Sequence, residues 1–291
     1  MNGSIPSSTG AVPAAPPQTS AHECAAPWSA NDFWLPPDLA HRIWRSPDVM
    51  VLLFAGSAAE FAVNKAVDWL FLTNALPQAP IERFFETVAF GQRLAFGDDA
   101  AVQASIASVN RMHAHVEARR GAKIPAWAYR DVLFFALDYT ERGYTIVYGP
   151  MPAMEREANF KWWMTLGRAL HVADLPATYA AYQAQRRADL AVDIAHTVWT
   201  DRLYARYRAV LGPWRYWLLR PLQASLVPDE VRHVVGVRRT PGIGLLLRLY
   251  RYLPGGGNKL RWLHGILLPR RYAGQLAAIT TGPVLEATRW H

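Results

Sequence analysis

The most regular stretch of the sequence runs from Asp98 to Arg119 and reads DDAAVQASIASVNRMHAHVEAR. Steps of three and four residues place side chains in one stripe along an α-helix. Here those steps connect Val102, Ile106, Val109, His113 and Val116. The stretch therefore predicts an amphipathic helix, closed by Gly121, with His113 on its buried side. His115 follows two residues later and should point away from that stripe.

The rest of the chain beyond Asp38 shows similar helical spacing, so we predict a mainly α-helical fold. A second helix is expected from Ile81 to Leu94. Proline and glycine interrupt the pattern near Pro77 and Pro80, at 121–125, at 149–152, at 212–213 and at Pro228. No alternating apolar and polar run is long enough to predict a sheet.

The charge is distributed unevenly along the 291 residues, which carry a formal net charge of +8. Residues 201–291 hold 15 Lys/Arg and 4 Asp/Glu, whereas residues 1–200 hold 16 and 19. Residues 1–30 are rich in Pro, Ala and Ser and lack apolar periodicity. We predict a disordered tail over 1–30 and a single helical domain over 31–291, within which 201–291 is a basic aromatic region.

Several classes of protein are disfavoured by composition. The longest apolar stretch, from Val49 to Ala59, contains Gly56 and Ser57 and is too short to span a membrane. The N-terminal residues lack the basic and apolar regions of a secretory signal, so we expect a cytoplasmic protein. Cys24 is the only cysteine, which excludes an internal disulfide, an iron–sulfur cluster and a cysteine-ligated zinc site.

His113 admits two interpretations. A histidine on an apolar stripe is commonly a core residue that hydrogen bonds to a carbonyl group. Alternatively, a neutral imidazole in an apolar wall is what a haem iron needs as its proximal ligand. One helix cannot direct both His113 and His115 at a common ion, so a site built from this pair is disfavoured.

Arg83 and Thr87 lie one helical turn apart, next to Phe84 and Phe90. An arginine carried toward apolar surroundings needs an acidic partner, since an unpaired buried guanidinium is costly. That partner is either a protein carboxylate or a carboxylate on a cofactor. The alternative is a surface arginine beside a threonine that hydrogen bonds to its own helix.

The basic C-terminal region interleaves arginines with tyrosine, tryptophan and leucine. Nucleic acid and an anionic membrane surface both suit basic and aromatic side chains. The segments 244–253 and 260–268 are richer in leucine than a nucleic-acid face requires. We therefore expect an anionic membrane surface as partner and no nucleic acid. The alternative is a buried helical core whose edge carries the arginines.

The order of these segments resembles the MpaB and latex-clearing-protein (rubber oxygenase) family of haem-dependent oxygenases. The resemblance covers residues 45–235. After the apolar stretch it rests on Arg83-x-x-x-Thr87, Phe90-Gly91, His113-x-x-Val116, Asp131-Val-Leu-Phe-Phe, Leu175-Pro-Ala-Thr178 with Tyr182, and Leu226-Val-Pro228-x-x-Val-Arg232.

The resemblance implies that His113 is the proximal ligand of a b-type haem, and that Arg83 and Thr87 belong to the haem pocket. Rubber-cleaving members carry a lysine before the pocket threonine, where this chain has Glu86, so neither a distal lysine nor rubber as substrate is implied. Glu60 is the nearest upstream carboxylate and, with Thr87, a candidate catalytic residue.

The resulting hypothesis is a haem b-dependent oxygenase that uses dioxygen or a peroxide on an apolar organic substrate, in the cytoplasm and peripheral on the membrane. Two alternatives remain. One is a non-catalytic helical protein of the membrane surface, and the other is a metal-dependent hydrolase with histidine and carboxylate ligands.

Overall fold

The structure is a computed structural model that describes residues 28–71, 79–259 and 268–281. The helices in these ranges are α1 (Pro37–Trp44), α2 (Pro47–Phe61), α3 (Val67–Phe71), α4 (Pro80–Phe96), α5 (Asp99–Arg120), α6 (Ala126–Tyr148), α7 (Ala153–Ala169), α8 (Tyr179–Val192), α9 (Val198–Leu211), α10 (Pro213–Leu226), α11 (Asp229–Val235), α12 (Pro241–Tyr250) and α13 (Ala273–Thr281). Short 3-10 turns occupy Ala30–Phe33 and Arg270–Tyr272. Extended pairing in these ranges is limited to one antiparallel bridge between Asn64 and Ile194. The predicted mainly α-helical fold is confirmed.

Helix α5 begins and ends close to the residues that the sequence predicts. The Asp98 side chain accepts a hydrogen bond of 2.8 Å from the backbone N–H of Ala101, which caps the helix. Gly121 follows the last turn with φ of 67°, in the left-handed region that glycine adopts readily. The predicted stripe is buried, except that His113 is half-buried, and His115 is exposed.

Helix α2 is the centre of the molecule and packs mainly on α6. It is apolar on nearly all sides, as expected of a helix surrounded by others. The two helices approach closely where glycines lie at the contact. A Cβ added at Gly56 would lie 2.2 Å from the Tyr139 ring, so this position accepts no side chain.

The segment that follows α12 is held by a buried lysine, Lys259. The Lys259 ammonium donates hydrogen bonds of 2.8 Å to the carbonyls of Val147 and Arg251, and its backbone N–H donates to Asp48. These bonds join the end of α6 and the residue after α12 to the start of α2. Lys259 follows a glycine run, and its ammonium is committed to the fold.

Residues 28–30, which fall within the predicted tail, make contacts with the helical part of the chain. The Trp28 ring packs on Phe33, and the Ala30 N–H donates a hydrogen bond of 2.7 Å to Asp99. Residues 1–27 of the predicted tail lie outside the described residues. Across the three described ranges, no helix is both long enough and apolar enough to cross a membrane.

Candidate functional site

His113 lies four turns into α5, on the side that faces the start of α6. Its ring meets the Tyr129 ring edge-on, with 4.8 Å between the centroids. Burial lowers the pKa of His113 to about 4, although the Glu117 carboxylate one turn later opposes the shift. The imidazole is therefore neutral at pH 7. Within the described ranges, neither ring nitrogen has a hydrogen-bond partner, so a lone pair is available.

The neighbours of His113 are themselves fixed. Glu117 accepts hydrogen bonds from the Lys123 ammonium at 2.7 Å and from the Ile124 backbone N–H at 3.1 Å. Burial, followed by the charge of Glu117, raises the pKa of Tyr129. Tyr129 therefore keeps its proton at neutral pH, and its ring forms a rigid wall beside the imidazole.

Arg83 pairs with a carboxylate of its own helix. Its guanidinium lies 2.8 Å from Glu86, and both side chains are half-buried on α4. Burial raises the pKa of Glu86, while the charge of Arg83 acts in the opposite direction. Of the two kinds of acidic partner expected for Arg83, the structure places a protein carboxylate beside it.

Thr87 is exposed, and its hydroxyl donates a hydrogen bond of 2.9 Å to the carbonyl oxygen of Arg83. This is the helix-internal hydrogen bond that the alternative interpretation of the Arg83–Thr87 pair expected. The role of Thr87 in a pocket and in catalysis stays a prediction. In this structure its hydroxyl is hydrogen bonded within its own helix.

The register of the α4–α5 hairpin places these residues near the same height. Arg93 on α4 donates a hydrogen bond of 2.9 Å to Ser105 on α5. His113 lies eight residues after Ser105, and Phe85 lies eight residues before Arg93. Antiparallel helices rise equally per residue, so equal separations correspond to equal heights along the hairpin. This count places the backbone of His113 within about one helical turn of the height of Arg83 and Thr87. In the described ranges no hydrogen bond or ion pair joins it to them.

A line of half-buried residues on α2 adds to this region. Val51, Phe54 and Ser57 recur every three residues on a helix that is otherwise buried. The Phe54 ring packs against Phe84 of α4, with 4.7 Å between the centroids. The Ser57 hydroxyl oxygen is buried and has no hydrogen-bond partner in the parts of the chain that are described. The sequence revealed Ser57 only as an interruption of the apolar stretch.

Glu60 lies one turn further along α2, in the core of the molecule. Its side chain is fully buried, and its carboxylate accepts hydrogen bonds from Arg186 and from the Tyr139 hydroxyl, the latter at 2.7 Å. Asp138 lies 3.4 Å from the same guanidinium. The carboxylate of Glu60 is taken up by these partners, which favours a structural role over the expected catalytic one.

The metal-dependent hydrolase alternative requires a histidine close to carboxylates. Among the described residues, the sole group of three acidic, histidine or cysteine side chains close enough to share an ion is Asp131, Asp189 and Asp193. That group contains no histidine. The described residues therefore offer no mixed histidine and carboxylate set around His113.

A family model described as the ER-bound oxygenase mpaB/B'/Rubber oxygenase, catalytic domain, matches residues 44–253. This range includes α2, the α4–α5 hairpin and His113. A comparison with curated proteins finds no match, and neither does a comparison with solved structures. Since the family model covers more than half of the chain, this protein belongs to the mpaB/rubber oxygenase family, which is a family of oxygenases.

Proposed function

We propose that this chain binds one haem b through His113 and oxidises an apolar organic substrate with dioxygen or a peroxide. The observation that carries the proposal is the state of His113. Its imidazole is half-buried and neutral, its ring nitrogens have no hydrogen-bond partner in the described ranges, and its helix lies inside the matched region. These are the properties of a nitrogen ligand ready to bind a ferric or ferrous ion.

The other residues of the site would hold and enclose the group. The Tyr129 edge limits rotation of the imidazole, and the Phe54 and Phe84 rings supply an apolar surface that excludes water. Arg83, at a height near that of His113, offers a cation for a propionate, which it would share with Glu86. The bound haem would supply the activation of the oxidant, and the chain supplies ligation, orientation and a dry surface.

The test is the visible spectrum of the purified protein after haem supplementation, with a pyridine haemochrome assay for stoichiometry. We expect a Soret band and about one haem per chain, as a single proximal ligand implies. His113→Ala should abolish or greatly weaken the band. His115→Ala is the matched control, because His115 is exposed on the same helix, and it should retain the band. Absence of a Soret band in the unaltered protein would refute the proposal.

Arg83 provides a second, independent measurement. If its guanidinium binds a propionate, Arg83→Gln should release haem to apomyoglobin faster than the unaltered protein does. Arg111→Gln is the control, because Arg111 is exposed on α5. Equal rates of haem release for all three proteins would show that Arg83 does not bind a propionate.

A second proposal concerns where the enzyme acts: we propose that α12 and the residues after it dock on an anionic membrane. Apolar side chains of this segment are exposed, namely Leu245, Leu246, Leu249, Tyr252 and Leu253. Arg248 and Arg251 are exposed among them. Apolar side chains beside arginines suit the headgroup region of anionic lipid. A groove of about 540 Å³ lined by Trp217, Arg220 and Arg238 lies in the same basic region.

Co-sedimentation with phosphatidylserine vesicles tests this docking. Neutralising Arg248, Arg251, Arg270 and Arg271, together with Arg261 outside the described residues, should release the protein from the vesicles. Leu245→Ser with Leu249→Ser should also weaken binding, whereas Met154→Ser, at an exposed apolar residue elsewhere, should not. Undiminished binding by both altered proteins would defeat the proposal.

A further inference from the structure

Three carboxylates from two helices converge on one point at the far side of α6. Asp131 lies in the second turn of α6, Asp189 lies in the last turn of α8, and Asp193 caps the end of α8. One oxygen from each lies within 4.8 Å of the others. They are brought together by the short pairing of residues 63–65 with 193–195, in which the Lys65 N–H donates 2.8 Å to the Asp193 carbonyl.

Two of these carboxylates are buried with an oxygen unsatisfied. Asp131 is 2% exposed and Asp189 is 6% exposed. Asn64 donates a hydrogen bond of 2.7 Å to one oxygen of Asp131, and Gln185 donates 2.7 Å to one oxygen of Asp189. The second oxygen of each has no hydrogen-bond partner in the described ranges. A buried carboxylate oxygen left without a partner is costly, so a ligand at this point would remove a large penalty.

Three cationic side chains, Arg130, Lys65 and Arg186, act on the cluster, but in the described ranges none of them hydrogen bonds to the second oxygen of Asp131 or of Asp189. The Arg130 guanidinium lies 3.4 Å from Asp189, and the exposed Lys65 ammonium is bound to the Val192 carbonyl. Helix α8 has no basic residue in its last turn, where the helix dipole favours a cation. Burial raises the pKa of Asp131 to about 7; the hydrogen bond from Asn64 and the charge of Arg186 oppose this shift, and the charges of Asp193 and Asp189 add to it.

We propose that Asp131, Asp189 and Asp193 bind a Ca²⁺ ion. An all-oxygen set of carboxylates selects a hard divalent cation. Three protein carboxylates favour Ca²⁺, because Mg²⁺ dehydrates reluctantly and is usually held by one or two carboxylates and several waters. The carboxylate oxygens, which all lie within 4.8 Å of one another, are close enough to share one such ion. The half-buried Asp193 gives the site its opening to solvent, and water would complete the coordination.

The bound ion would hold the start of α6 and the end of α8 together. It would lie next to Asn64, which donates a hydrogen bond to Asp131. Nothing in this site involves His113, so it binds Ca²⁺ in the haem-free and the haem-loaded protein alike.

The test measures thermal unfolding of the full chain at pH 7.5, in CaCl₂ against EGTA, together with calorimetric titration of CaCl₂. We expect one Ca²⁺ per chain and a melting temperature that rises by roughly 5–10 °C at a hundredfold excess over Kd. Asp131→Asn and Asp193→Asn should each weaken Ca²⁺ binding at least tenfold. Asp201→Asn, at an exposed carboxylate on α9, should leave it unchanged.

Three results would overturn the proposal. One is the absence of any Ca²⁺-dependent shift in the unaltered protein. Another is an equal Ca²⁺ response in Asp193→Asn, which keeps the buried pair of carboxylates intact. The last is an equal response to MgCl₂, which would remove the assignment to Ca²⁺. If Asp131→Asn melts higher than the unaltered protein in EGTA and neither responds to Ca²⁺, a proton shared among the carboxylates occupies the site instead.

Discussion

Replacing Glu60 by Gln should destabilise the fold strongly rather than remove a catalytic group. The Glu60 carboxylate is fully buried and carries the bidentate contact with Arg186, whose side chain is also buried. Burial alone would lower the pKa of Arg186, but the Glu60 and Asp138 carboxylates hold it well above its usual range. A guanidinium keeps its proton in proteins, and Asp138 remains beside it, so Arg186 stays charged when Glu60 is neutralised.

The magnitude follows from that uncompensated charge. Removing one partner of a buried ion pair costs about 3–5 kcal/mol, because the other charge remains in the core. Asp138, 3.4 Å from Arg186, offsets part of this loss. Gln retains an oxygen that can accept from Tyr139, so the loss is assigned to the ion pair. For a domain of this size we expect the melting temperature to fall by roughly 6–20 °C.

The assay is differential scanning calorimetry of Glu60→Gln beside Glu157→Gln. Glu157 is a half-buried residue of α7 whose side chain is 46% exposed, and the ammonium of its partner Lys161 lies 3.7 Å away. Loss of this pair should cost less than about 1 kcal/mol. Glu60→Gln combined with Arg186→Met should lose less stability than the two single changes added together, because no charge is left unpaired.

Two results would refute this reasoning. If Glu60→Gln melts within about 1 °C of the unaltered protein, the ion pair contributes no more than a surface pair does. If Glu60→Gln retains its melting temperature and its haem but loses oxidation of a substrate, Glu60 contacts the reacting atoms and the structural role is wrong.

Three further outcomes are expected. Folding lowers the pKa of His113 from 6.5 to about 4, so the unfolded chain binds a proton first as the pH falls, and the free energy of unfolding should drop by about 2–3 kcal/mol between these values. Urea unfolding at pH 4.5 and 7.5 measures this drop, which should be smaller for His113→Gln. A Cβ at Gly91 would lie 2.1 Å from the Trp44 ring, so Gly91→Ala should cost about 1–3 kcal/mol and shift the tryptophan fluorescence, and unchanged unfolding would contradict this packing. Lys259→Met leaves the buried carbonyl of Val147 and the part-buried carbonyl of Arg251 without their donor, so it should destabilise by about 2–4 kcal/mol in urea unfolding. Lys161→Met should be neutral.

The helices could be predicted from local features of the sequence. Asp98 and Gly121 mark the ends of α5 because capping and left-handed backbone depend on neighbouring residues only. The predicted helix from Ile81 to Leu94 is observed as α4, longer by one or two residues at each end. The exposure of His115 followed from helical geometry, and so did the position of His113 in line with the buried stripe.

The partners of the charged residues could not be predicted in the same way. Glu60 in an apolar helix signals a buried carboxylate, yet Arg186 lies 126 residues later and no local spacing connects the two. The Arg83–Glu86 pair could be predicted from helical spacing, because residues three apart lie on adjacent turns of one helix. The cluster of Asp131, Asp189 and Asp193 depends on how α8 returns to α6, so it appears only in the assembled fold.

By itself, the sequence determined that the chain is helical, where the best-defined helices begin and end, and which histidine lies on a buried stripe. It also showed that positive charge gathers in residues 201–291. Only the tertiary structure decided which charges are paired, that Glu60 belongs to the core, and that His113 is neutral, with no hydrogen-bond partner for its ring nitrogens among the described residues. The physical reason is the separation along the chain over which each interaction acts. Helical periodicity and capping act over a few residues, whereas burial and ion pairing depend on side chains that folding brings together from distant parts of the chain.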